Sequence, residues 1–162
     1  MKPKVLNAKV ASILIPLIGY EYSHFYNYKS SANYCRGVGF VKAAEFYEKE
    51  VVEEAEHSKR LQDFLTDWNV VFELPTIETP ETFTSLKQTI ESGYNREYEL
   101  YEIYEEASAK VCEMDTCVFD FLQQFRKIQQ DTVAEYSDKL NLCEGVDTED
   151  KFQMLMIESL LF

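Results

Sequence analysis

A chain of 162 residues is long enough for one sizeable core, and a formal net charge of −13 repels phosphate backbones, which argues against nucleic acid as a main partner. Hydrophobic residues make up 46% and charged residues 28%, which excludes a disordered chain, while 5 glycines and 4 prolines are too few for a turn-rich all-β fold and favour long helices. The four cysteines, Cys35, Cys112, Cys117 and Cys143, form no C-x-x-C pair and read as reduced thiols of a cytoplasmic protein.

The opening Met1-Lys2-Pro3-Lys4 is basic, and the stretch from Val5 to Tyr20 carries Lys9 and Pro16 and lacks a small-residue cleavage site. It is therefore neither a secretory leader nor a membrane span. Apolar residues at helical spacing predict a first helix over about 9–35. Pro16 lies inside it, so either the helix proper starts near Ile15 or a bend divides it. Gly37-Val38-Gly39 breaks the pattern. A second helix follows over about 41–68, with Val41, Ala44, Phe46, Val51, Val52, Ala55, Leu61 and Leu65 as its apolar positions. From Asn69 to Pro80 the chain reads as an extended connection, because Val70-Val71-Phe72 is β-prone and Pro75 and Pro80 forbid a continuous helix. A third helix is expected from Thr84 or Ser85 to about Cys112, a turn over Glu113–Thr116, and a fourth helix over about 117–142. Gly145-Val146-Asp147-Thr148 breaks the chain again, with Asp147 or Thr148 to cap a short last helix ending at Phe162.

The expected fold is thus all-α: one domain over 1–162, a bundle over about 9–142 with one long crossover, and a short fifth helix over about 148–162. One long crossover is the arrangement of ferritin-like four-helix bundles, and an ordinary bundle without a cofactor fits it equally well.

Glu53-Glu54-Ala55-Glu56-His57 is the sharpest local feature. Glu54 and His57 are three apart, so a helix puts them on one face, where a carboxylate and an imidazole can share iron, manganese or zinc. Glu21-Tyr22-Ser23-His24 repeats the pattern, and the chain's two histidines are both used in it. In a chain with 29 acidic residues either match alone is expected by chance. The set carries more weight, since a pair of buried cations needs inward carboxylates from several helices. Glu21 sits among Ile18, Tyr22 and Phe25; the third helix offers Glu97 beside Arg96, and the fourth a polar patch, Gln129-Gln130-Asp131. Tyr28, two turns after Glu21, can hydrogen-bond a ligand or pass an electron, although most of the eleven tyrosines are better explained as core.

Taken together these residues resemble the bacterial non-haem ferritins over about 16–162. Glu21 stands 33 residues before Glu54, as the first- and second-helix glutamates of that family do. Tyr28, Phe46, Glu53-Glu54-x-x-His57, Leu65-Thr66-Asp67, Leu74-Pro75-x-Ile77-x-x-Pro80, Phe121-Leu122-Gln123 with Gln129, and Asp138-Lys139-Leu140-Asn141-Leu142 also match. The resemblance implies oxidation of Fe(II) by dioxygen or peroxide at a di-iron centre, and storage of the product in a homo-oligomeric shell of twenty-four subunits. It implies Glu21, Glu54 and His57 for a first iron, Glu54 as bridge, Glu97 with nearby Gln129 for a second, and Glu53 facing an inner-surface iron.

Departures from the pattern are confined to the later helices and to His24. Gapless counting from Phe121 would put Arg96 at the third-helix position, whereas Tyr94-x-x-Glu97 favours Glu97. Where the family's fourth helix carries more carboxylates, this chain has Ile128, Gln130, Asp131 and Thr132, of which only Asp131 is acidic. His24 is not a usual family ligand; it reads as an extra ligand or, by preference, as a packed core histidine. A peroxide-reducing di-iron protein of the same fold and a non-catalytic subunit with a degenerate second site are the alternatives. The apolar last helix, with Phe152, Met154, Leu155, Met156, Ile157, Leu160, Leu161 and Phe162, implies burial in an assembly or against the bundle.

Overall fold

The computed structural model describes residues 3–162; Met1 and Lys2, the first half of the basic opening, lie outside the described residues. Five helices follow in order: α1 Ala8–Val38, α2 Val41–Asp67, α3 Leu86–Val111, α4 Thr116–Cys143 and α5 Lys151–Leu161. Short polar side chains start four of them. Asn7, Ser85, Asp115 and Asp150 each accept a backbone N–H of the first turn, which satisfies donors the helix cannot pair internally. At α2 no side chain of the preceding Phe40 does this. The carboxylate of Glu158, from α5, instead accepts the Ala43 N–H at 3.0 Å.

Two expectations are corrected. Pro16 neither starts α1 nor divides it: the helix runs on for 31 residues with Pro16 inside. Packing of Leu14, Leu17 and Ile18 into the core holds the turn that proline weakens. The last helix begins at Lys151 with Asp150 as its cap, rather than at Asp147 or Thr148. Asp147 instead uses its side chain on the Glu149 N–H.

A two-residue link, with Gly39 in the left-handed region at φ 95°, turns α1 back onto α2. The link of residues 112–115 does the same for α3 and α4. Residues 70–83 form the crossover and make no strand among the described residues. Polar side chains of α1 hold it down: Ser23 Oγ accepts the Glu78 N–H, and Asn27 Oδ1 accepts the Glu81 N–H. Gly19 lets it lie close, since a Cβ there would stand 3.0 Å from both Pro75 and the Thr76 carbonyl oxygen.

The core is divided along its length. One apolar cluster uses Leu17 and Ile18 of α1, Leu61 and Leu65 of α2, Leu100 of α3 and Leu122 and Phe125 of α4. The other uses Tyr28, Tyr47, Ile90 and Tyr136 from the same four helices, plus Met154 and Leu161 of α5. Between them, at one depth on every helix of the bundle, the buried side chains turn polar: Glu21 and His24, Glu54 and His57, Glu97, and Gln129. No helix among the described residues is long and apolar enough to cross a membrane.

Candidate metal centre

Three carboxylates and two imidazoles in a protein core require an explanation, because each buried charge is penalised by several kcal/mol unless paired (roughly, after relaxation). Helical spacing accounts for their arrangement. Glu21 and His24 occupy one face of α1, Glu54 and His57 one face of α2, and the antiparallel pairing of these helices brings the two faces together. His57 Nδ1 stands 3.5 Å from Glu21 Oε2 and 3.7 Å from Glu54 Oε2. None of these three atoms, all buried, makes a hydrogen bond. A second group, His24, Glu54 and Glu97, likewise offers one donor atom each within 4.8 Å of the others. Glu54 belongs to both.

The remaining hydrogen bonds hold the carboxylates in place. Tyr104 donates to Glu21 Oε1 and Tyr28 to Glu97 Oε1. His24 Nδ1 is 3.2 Å from the same Glu97 oxygen. With its amide oriented to suit its neighbours, Gln129 donates to Glu97 Oε2 at 2.6 Å. The phenols are themselves fixed by packing: Tyr28 stacks between Tyr47 and Tyr136, and Tyr104 stacks on Phe125, which also meets the His57 ring edge-on.

Electrostatics divide the group. Burial alone would raise the Glu21 carboxyl, but the approach of His57, Glu54 and Tyr104 outweighs it and holds Glu21 below the usual carboxylate range. Burial and the repulsion of Glu21 and Glu97 push Glu54 well above that range. Burial would lower the His57 imidazole, but the Glu21 carboxylate more than reverses this and raises it. Glu21 thus favours its charged form, whereas Glu54 and His57 both hold a proton more tightly than ordinary side chains of their kind. Burial, followed by the charge of the neighbouring carboxylate, raises the Tyr28 and Tyr104 phenols well above their usual range, so both remain donors.

The structure brings together Glu21, Tyr28, His24, Glu54, His57, Glu97 and Gln129. It separates others that the sequence suggested. Gln130 and Asp131 are exposed and leave the candidate set, and Asp131 pairs with Lys127 at 2.6 Å on the surface. An α-helix turns about 100° per residue, so with Gln129 inward its next two neighbours point away. Glu53 is exposed on the outer side of α2, near Glu45, Glu48, Lys49 and Val52. Arg96 does not compete with Glu97; it faces the crossover and pairs with Glu78 and Glu81. Sequence reasoning missed Tyr104. Its one signal was a place two turns after Glu97 on α3, shared with too many other tyrosines to stand out.

A helical bundle with one long crossover and a carboxylate–imidazole cluster at mid-height defines the ferritin-like class. The family model described as ferritin-like domain matches residues 13–146, and the chain belongs to that family. It is 30% identical over 133 residues to the bacterial non-heme ferritin of Escherichia coli, covering 76% of this chain and 81% of that one. It is 28% identical over 142 residues to the probable bacterial non-heme ferritin-like protein of Haemophilus influenzae, covering 85% and 86%. The fold is that of the open-pore ferritin from the archaeon Archaeoglobus fulgidus, with a TM-score of 0.88, 22% identity and 96% of each chain covered.

Proposed function

We propose that this protein oxidises Fe(II) at two cation positions inside the bundle and stores the ferric product within a hollow shell of twenty-four copies in the cytoplasm. One observation carries the reading: Glu21 Oε2, Glu54 Oε2 and His57 Nδ1 face one another in the core with no hydrogen-bond partner. Buried polar atoms are rarely left so, and a cation between them would satisfy all three at once. Mixed carboxylate and imidazole donors suit iron.

In this reading Glu21, Glu54 and His57 hold the first ion, Glu54 bridges, and Glu97 holds the second with Gln129 beside it. Binding competes with the protons that Glu54 and His57 hold more tightly than ordinary side chains of their kind. Tyr28 and Tyr104 keep Glu97 and Glu21 aimed inward. Each Fe(II) then gives up one electron, and dioxygen or peroxide takes up the two. Oxidation raises the charge of the pair from four to six, and the ferric ions hydrolyse water, releasing its protons to solvent and passing to the cavity as hydroxide or oxide. Glu53, on the exposed face of α2, is proposed as the next contact for iron on the inner surface of the shell.

The shell reading is supported by apolar side chains left uncovered on a single chain. Phe152 and Leu160 of α5 are 69% and 70% exposed, and Val71 of the crossover is 99% exposed. Size-exclusion chromatography with light scattering is expected to find a large hollow particle, and a monomer would refute the storage reading. Stopped-flow addition of Fe(II) in air is expected to show a fast ferric absorbance that saturates at two ions per subunit. If Glu54→Ala oxidises iron as fast as the parent, the site assignment fails.

A further inference from the structure

The fourth helix is the weak side of the centre. Gln129 is its buried polar residue at this depth and has already turned its amide nitrogen to Glu97. Gln130 and Asp131 are exposed, and Thr132 donates its hydroxyl to the Ile128 carbonyl oxygen. No α4 carboxylate is buried at this depth, and the buried carboxylates at the second position are Glu54 and Glu97. Two anionic side chains, one of them shared, are a sparse set for a divalent cation.

The first helix supplies what the fourth lacks. His24 is buried, and its Nδ1 lies 3.2 Å from Glu97 Oε1. One of its donor atoms is within 4.8 Å of donors from both Glu54 and Glu97. Around an ion with bonds of about 2.1 Å, neighbouring ligand atoms stand roughly 3–4 Å apart, so these three groups need only small movements to close on one cation. Ligation through Nδ1 requires the ring proton to sit on Nε2. His24 also lines a cavity of about 10 Å³, about the size of one water, bordered by Glu78, Arg96 and Glu99. Two Glu-x-x-His motifs with carboxylates from other helices form a known way to build a paired-cation site in a bundle. Here both motifs stand on the adjacent helices α1 and α2.

We infer that His24 is a ligand of the second cation position, replacing the missing α4 carboxylate, so that each position holds one imidazole. This rests on the two-position reading above. One imidazole per position biases both toward Fe(II), Co(II) and Zn(II) over Mg(II) and Ca(II).

The test uses the assembled, metal-stripped protein and Co(II) as probe, with ions counted by visible absorption. Paramagnetically shifted imidazole N–H resonances in the proton NMR spectrum report the histidines directly. The parent is expected to take up two Co(II) per subunit and to display two such resonances. His24→Asn, which can keep a hydrogen bond to Glu97, and His24→Ala are both expected to bind one Co(II), with the His57 resonance retained. Thermal melting without metal verifies that both variants fold. A parent with a single shifted imidazole resonance, or a His24→Asn variant that still binds two ions at parental affinity, overturns the assignment and leaves the two-position reading standing. A parent that binds no Co(II) in its core overturns that reading and the assignment with it.

Discussion

The α1–α2 pair and the α3–α4 pair reach the middle of the bundle with unequal chemistry. From α1 and α2 come Glu21, His24, Glu54 and His57, two donors per helix at a spacing of three. From α3 and α4 come one carboxylate, Glu97, and one amide, Gln129, with the Tyr104 phenol bound to Glu21. The difference lies in how each half assembles its donors. On α1 and α2 local helix geometry pre-pairs the groups before any tertiary contact forms. On α3 and α4 the single donors have meaning only once the helices are packed at the right depth. Loss of a residue from the first pair should therefore remove more function than loss from the second.

The sharpest test of that contrast is replacement of one glutamate from each half. Glu54→Ala, which touches both positions, is expected to slow Fe(II) oxidation by about 100-fold or more, and Glu97→Ala by about 10-fold, in stopped-flow measurements at equal iron loading. Equal losses would break the proposed asymmetry.

Acidity comes next and acts on the first pair. Glu54 and His57 are both raised above their ordinary ranges, so a cation competes with protons at each. Affinity for Co(II) is expected to rise with pH across the neutral range, by about tenfold per pH unit for each proton displaced. Proton release into weak buffer measures this directly. Affinity independent of pH would mean that the cation avoids these two residues.

The second pair is better probed by packing. A Cβ on Gly93 of α3 would stand 2.3 Å from Cε1 of Tyr136 on α4. Gly93→Ala is expected to lower stability by about 1–3 kcal/mol, because the displaced ring stacks on Tyr28, and a melt of the metal-free protein is the measurement. If alanine raises the melting temperature instead, its helix propensity outweighs the clash and the close approach is dispensable.

The smallest effect concerns Glu50, one turn before Glu54. Burial, then repulsion from Glu53, Glu97 and Glu135, pushes its carboxyl up to about 8, with Lys139 opposing. A carboxyl raised in the folded state destabilises as it ionises, so its penalty is absent below the unfolded value and grows as pH rises toward about 8. Glu50→Gln is expected to melt with the parent at pH 5 and a few degrees above it at pH 8. Coincident melts at both values would show that Glu50 is relaxed by solvent.

The helices, and the half of the centre that lies on single helices, are legible in local pattern alone. Periodicity and the breaks at Gly39, Pro75, Pro80 and Gly145 outline the bundle and its crossover, because hydrophobic spacing and turn chemistry act over a few residues. Glu54 and His57 could be paired on paper for the same reason. Whatever depends on helix rotation and depth comes from packing of the bundle. It turned Gln129 inward and Gln130 and Asp131 outward, sent Arg96 to the crossover and Glu97 to the core, and carried α1 straight through Pro16. It also brought Tyr104 to Glu21 across 83 positions of chain and set His24 beside Glu97. These outcomes rest on which face of each helix the neighbours cover, a quantity that no local pattern encodes and that only the packed bundle defines.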